Sequence, residues 1–449
     1  MNKHFKLMAV LSTAGVITAV TPCAAAFFPG STAVAFAAVK GWSEENGKLR
    51  YMDSDGYYLT DTWKKKDSDW YYLDENGYVS KSTAVDEYYV DEDGKRVYNQ
   101  WITVPNEDGW DMDSPENYYM YYGKKGQAAV SEWQTINGKL YYFNEDGHMQ
   151  YGKMELDGAI YYLGNESEGA MKTGWIQLEE DADLYDEDNV WHFFDNSGKM
   201  VMNQVDRKIN NNYYTFENGV MQTGWYKLPA NPETDSATDA AAAKPEIAFY
   251  QYYEADGKRA DGWHEIEGVY GISEEDELFR FYFKNGKPYY AETGIQTFMI
   301  DSKKYGFNTR GEMQTGLKSV TLEDHTTANY YFDKDGVVTT GKQLIFNDVL
   351  GDDQTWLFNT SGGNKGQGLH GIRNNNVYSQ GLRLDADRDL KLAPANLDGV
   401  SYLVNVNGAI QKASASSTSA AKPESGKGFK DYTDANGKVW TVDSDGVIQ

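Results

Sequence analysis

Trp133-Gln-Thr-Ile-Asn-Gly-Lys-Leu-Tyr-Tyr-Phe-Asn-Glu-Asp-Gly-His-Met-Gln-Tyr-Gly152 reads as one structural unit, and Leu156-Asp-Gly-Ala-Ile-Tyr-Tyr-Leu with Gly169-Ala-Met-Lys-Thr-Gly-Trp175 completes the next. In each, short runs of strand formers flank an Asn-Gly or Asp-Gly dipeptide, the pair of residues that best tolerates the positive φ angles of a tight hairpin turn. The unit is about 21 residues long, and Trp42 to Trp63 is again 21. Weaker copies continue through Tyr282-Phe283, Gly306 to Gly316, Tyr330 to Gly336 and Tyr402 to Gly408.

Seven Asn-Gly and ten Asp-Gly dipeptides recur along the chain, so the repeat is a β-hairpin used many times. A lone hairpin is marginal in water, and stability has to come from stacking each on its neighbour. The expected fold class is all-β, a solenoid or superhelix of stacked hairpins of about 20 residues. Eleven Tyr-Tyr pairs hold 22 of the 35 tyrosines. Adjacent strand residues face opposite sides, so one ring of each pair is expected in the stacked core and the other in a groove against the next hairpin.

The 449 residues carry 42 Lys+Arg against 68 Asp+Glu, a formal charge of −26, which argues against a nucleic-acid partner. Residues 1–38 have the order of a secretory signal peptide, with cleavage expected near residue 26 or 37. The only cysteine, Cys23, falls inside it, so the mature chain is expected to be stabilised without disulfides. No later segment approaches the roughly 20 apolar residues of a membrane span. The repeat array is expected over 39–413, with a linker-like insertion at 229–245, a linker at 414–428 and a single hairpin repeat at 429–449.

Over Lys40 to Lys412 and Phe429 to Gln449 the sequence resembles the cell-wall-binding repeat family: choline-binding modules of pneumococcal surface proteins, glucan-binding repeats of streptococcal glucosyltransferases, and the repetitive region of large clostridial toxins. The resemblance implies a left-handed superhelix of hairpins and attachment to cell-wall polysaccharide or teichoic acid. It also implies aromatic cages that hold choline by cation–π attraction. The matching residues are Trp63 and Trp70, with Tyr89 expected from the next hairpin by strand parity, and a looser set of Trp175, Trp191 and Tyr214. Elsewhere the second Trp of the cage is replaced, by Leu140, Ile160 and Asn212, which favours a saccharide lying on a single ring. Weaker saccharide-stacking candidates are Trp133, Tyr142, Tyr162 and Trp225.

Acidic turns such as Asp53-Ser-Asp55-Gly56 lack the closing Glu of a calcium loop, and turn chemistry accounts for them. His148, His192, His264, His325 and His370 have no metal-ligand spacing and are expected at solvated positions. There is no nucleophile elbow, zincin helix or phosphate loop, and no repeat-free span long enough for a catalytic domain. No catalytic residue, metal or cofactor is expected. The expectation is a secreted, non-enzymatic protein held on the bacterial cell wall by aromatic grooves that bind wall glycan, teichoic acid or choline. The rival is an adhesin or toxin-like protein that uses the same grooves on host glycans.

Overall fold

The computed structural model describes residues 39–106, 115–179, 189–230, 244–274 and 276–449. The expected signal peptide and its cleavage points, and most of the 229–245 insertion, lie outside the described residues. The described chain is all-β. Its strands form fifteen small antiparallel sheets, most of them two-stranded hairpins, and the other elements are two 3-10 turns, Glu246–Phe249 and Pro423–Ser425. No helix among the described residues is long and apolar enough to cross a membrane. The chain divides into two compact units, Met1–Val201 and Met202–Gln449.

In the first unit the quoted stretch forms the strands Glu132–Ile136 and Lys139–Phe143, joined by Asn137 and Gly138 at φ 50° and 79°. Positive φ at both turn residues matches the right-handed twist of the strands, which is why Asn-Gly recurs here. The residue that closes each hairpin is the most deeply buried: Leu73, Val90, Tyr122, Phe143, Leu163 and Phe194 are at most 1% exposed. In the Tyr121-Tyr122 pair the second ring is itself the spine residue, and in Tyr71-Tyr72 and Tyr161-Tyr162 the first ring is buried and the second half-buried, so one ring of each of these pairs enters the core as expected. Burying one such aliphatic or aromatic side chain contributes about 1.5–3 kcal/mol, enough over several hairpins to order units that would not fold alone.

A second contact couples each hairpin to the next. After Leu73, Val90, Phe143 and Phe194 the chain makes an Asx turn: Asn144 Oδ1 accepts the N–H groups of Asp146 and His148, and Asp74, Asp91 and Asp195 do the same in their turns. The carboxylates of these acidic turns are thus engaged with backbone. Two residues beyond the turn glycine, a side chain reaches the glycine of the following turn. Val79 packs on Gly94, Arg96 on Gly126, Met149 on Gly169 and Met171 on Gly198, where any Cβ would overlap it.

The second unit repeats this scheme with Phe216, Tyr253, Phe283, Phe307, Phe332 and Phe358 as buried closing residues. Met221 packs on Gly257, Arg259 on Gly286, Met313 on Gly336 and Val338 on Gly366. It departs once. Gly341–Asn347, Asp352–Phe358, Leu382–Arg383, Asn376–Ser379 and Gly371–Arg373 join, in that spatial order, into a five-stranded sheet, in the stretch where the sequence repeat is loosest. Residues 414–428, expected as a linker, are tied to the last hairpin: Asp431 accepts hydrogen bonds from Ser419 Oγ and from the N–H groups of Ala420 and Ala421. His192, expected at a solvated position, is fully buried, because its strand neighbours place it on the inward face opposite Ile176.

Candidate ligand-binding clefts

Seven tryptophans, Trp42, Trp63, Trp101, Trp133, Trp175, Trp225 and Trp263, occupy one recurring environment, on the first strand of a hairpin and directly across from an aromatic near the end of its second strand. Trp63 pairs with Tyr72, Trp101 with Tyr121, Trp133 with Tyr142, Trp225 with Tyr252 and Trp263 with Tyr282. The indole also meets a ring of the following hairpin. Trp63 has Tyr72 and Tyr88 at 5.4 Å each, Trp101 has Tyr121 at 5.3 Å and Tyr141 at 5.1 Å, and Trp133 has Tyr142 at 5.2 Å and Tyr161 at 5.1 Å. Trp42 joins Tyr51 and Tyr71 in the same way, Trp225 joins Tyr252 and Phe281, and Trp263 joins Tyr282 and Tyr305.

Most of these contacts are edge-to-face, with interplanar angles near 60–76° at Trp63, a geometry that places a ring's positive edge on its neighbour's negative face. Every one of these indoles is only half-buried. Three rings at steep angles with part of their surface wet form a shallow cleft able to take a cation against a ring face or a sugar C–H face. Burial, followed by the charges of Asp61, Asp86 and Asp74, pushes the Tyr72 hydroxyl above its ordinary pKa. Burial also raises Tyr88, reinforced by the charge of Glu87 and by the hydrogen bond its hydroxyl gives to that carboxylate, and opposed by Arg96.

The candidates read from sequence fall in and around these clefts. Trp63 is at the centre of one, but the ring that reaches it from the next hairpin is Tyr88, while Tyr89 lies against Tyr122 at 5.7 Å. Tyr89 is the counterpart of Tyr72 in register, since both precede a buried closing residue. The following hairpin instead offers the opposite face of its strand to the indole, as Tyr71 does to Trp42. Trp70 stands across from Lys65, 36% exposed, outside the ring group of Trp63. Trp175 has Phe193 at 5.1 Å and Trp191 at 6.5 Å, with Trp191 42% exposed. Tyr214 belongs to the second unit, where it is buried opposite Arg207. Trp133 and Tyr142 share a cleft, Tyr162 lies against Phe194 at 6.2 Å, and Trp225 Nε1 donates to the Glu267 carbonyl at 2.9 Å.

The sequence pattern does not single out Trp42, Trp101 and Trp263 as cleft centres, nor Tyr88 as the closing ring at Trp63. What finds the closing ring is its place in the next hairpin, two residues before that hairpin's closing residue, whatever the separation along the chain: Tyr71 for Trp42, Tyr88 for Trp63, Tyr141 for Trp101 and Tyr305 for Trp263. Among the described residues no cluster of three or more His, Cys, Asp and Glu is placed to hold a metal.

The choline-binding repeat family model matches residues 130–175, and the cell wall binding repeat model matches 61–79 and 184–200. The chain thus carries repeats of the cell-wall-binding, choline-binding type. Among curated relatives, Glucosyltransferase-S of Streptococcus mutans is 26% identical over 290 residues, covering 60% of this chain and 19% of the relative. Glucosyltransferase-I of Streptococcus downei is 25% identical over 49% of this chain and 14% of the relative. The chain therefore spans a fifth or less of the length of these two relatives. Among solved structures, choline binding protein F of Streptococcus pneumoniae is 19% identical, covers 67% of this chain and 98% of that one, and superposes with a TM-score of 0.36. The modular autolysin LytC of the same organism, solved with a synthetic peptidoglycan ligand, is 20% identical over 61% of this chain and 52% of its own, with a TM-score of 0.38.

Proposed function

We propose that this is a secreted, non-enzymatic surface protein that binds the bacterial cell wall through its inter-hairpin aromatic clefts, taking choline-decorated teichoic acid or wall glycan. The observation that carries this function is the recurrence of one three-ring cleft, built from a Trp, its cross-strand partner and a ring of the following hairpin. Many weak and similar sites along one chain gain by avidity when the polymer repeats its motif. Within each unit, the same side-chain-to-glycine contact passes from turn to turn, which supports a superhelical succession of hairpins. The matched repeat families agree with the assignment.

Retention of the purified chain on isolated Gram-positive walls, with and without free choline, tests it. Retention that choline reduces supports decorated teichoic acid as ligand, and retention that choline leaves unchanged supports the glycan. Failure to bind any wall preparation, with capture of mammalian oligosaccharides instead, overturns it.

A further inference from the structure

The chain's own cations divide the ring clefts into two kinds. Arg96 places its guanidinium carbon 5.7 Å from the Trp63 ring centre, 4.1 Å from Tyr88 and 4.9 Å from Tyr98. Arg280 lies 5.1 Å over Trp263, and Lys66 5.8 Å over Trp42. Among the described residues no Lys or Arg stands over the rings of the Trp101, Trp133 or Trp225 clefts. We propose that Arg96 is a specificity-determining residue of the Trp63 cleft, whose guanidinium takes the place a quaternary ammonium needs and so keeps choline out, while the Trp101 and Trp133 clefts accept it. This rests on the assignment of the clefts as ligand sites.

The residue's place in the repeat shows what is unusual about it. Arg96 pairs with the buried closing residue Val90 through an isolated bridge, as Met149 does with Phe143, Met200 with Phe194 and Met313 with Phe307. A methionine there fills space without charge, whereas an arginine brings a cation into a ring cluster. Arg259 is the other arginine at this position, and its guanidinium lies 4.2 Å over Tyr213.

Arg96 is also held in place. Nη2 donates to the Lys125 carbonyl at 2.7 Å, and Arg96 Nε and Trp63 Nε1 are both buried without a hydrogen-bond partner. Two unpaired buried donors side by side mean that ring faces, more than polar bonds, hold the guanidinium at this point. Because a guanidinium does not deprotonate in proteins, the cleft stays filled at any working pH.

The test uses the full chain, labelled at the indole nitrogens, titrated with choline chloride and followed by the Trp63 indole N–H signal and by calorimetry. In the parent protein the Trp63 signal should stay fixed while those of Trp101 and Trp133 move. In Arg96→Met, and independently in Arg96→Gln, the Trp63 signal should move and one further choline site per chain should appear, at least about tenfold tighter than anything the parent shows there. Adding Trp63→Ala should abolish that gain. A Trp63 response to choline in the parent overturns the proposal. So does its absence in either variant with unchanged near-ultraviolet circular dichroism. Failure of the parent chain to bind any wall preparation, alongside a gained Trp63 response in the variants, defeats the proposed function and leaves this inference standing, and wall retention without that gained response defeats only the inference.

Discussion

Gly94 has two separate reasons to be glycine. Its φ is +83°, and a Cβ there would overlap a Val79 methyl and come within 3.0 Å of the Ser80 carbonyl. Gly158 has the first reason alone, with φ +72° and open space around it. Gly158→Ala should cost about 1–2 kcal/mol for the left-handed backbone. Gly94→Ala should cost about 2–4 kcal/mol, because a branched, stiff side chain and a backbone oxygen must also give way. Urea denaturation of both variants checks the difference, and equal losses would mean that the turn-to-turn contact is not part of the packing. Asp431 supplies a second residue-level expectation. Hydrogen bonds from Ser419 and from the backbone of Ala421, with further ones from Thr441 and Ala420, hold its carboxyl at a pKa of about 2. A folded pKa below the ordinary 3.8 stabilises the folded state above that value, and the contribution is lost as pH falls through about 2. The amide signals of Ala420 and Ala421 should therefore titrate with a midpoint near 2, and a midpoint at 3.8 would show the contact to be absent. The same scale explains why the Trp63 site was half legible. The resemblance to the family's cage pattern pointed to Trp63, but parity along one strand says nothing about which face the following hairpin turns toward it, and Tyr88 rather than Tyr89 arrives.

At the scale of the hairpin, local sequence decided nearly everything. Asn-Gly and Asp-Gly fix the turn, the alternation of rings fixes the faces, and the observed hairpins follow the repeat. What strand pattern alone could not place is the spine. The Tyr-Tyr pair draws attention as the largest apolar feature, yet at Tyr141-Tyr142 the fully buried residue is Phe143, the one after it. The pair itself divides between two tryptophans. Tyr142 meets the indole of its own hairpin, Trp133, and Tyr141 meets Trp101 of an earlier one. A tryptophan in this arrangement joins consecutive hairpins as well as lining a cleft. Trp133→Ala should destabilise the first unit by about 2–4 kcal/mol, somewhat below a fully buried aromatic truncation because the indole is half exposed. Trp133→Phe should recover most of the stability, and denaturant midpoints of the two variants measure this. The five-stranded sheet around Gly341–Asn347 escaped the repeat reading because its pairing is set by contacts distant in sequence.

For the whole molecule, the charge of −26 sets the long-range behaviour. Anionic wall polymers repel such a chain at distance, and attraction in the clefts acts only at contact. Screening shortens the repulsion from roughly 30 Å at about 10 mM salt to roughly 8 Å at about 150 mM. Retention on walls should accordingly strengthen over that range, whereas steady weakening would point to a basic surface patch as the binding element. The claim beneath all of this is that wall ligands sit in the Trp clefts, and indole-labelled protein titrated with solubilised wall fragments tests it most directly. The indole N–H signals of Trp101 and Trp133 should shift together and saturate with binding. Saturable binding that leaves both signals unmoved would contradict the account.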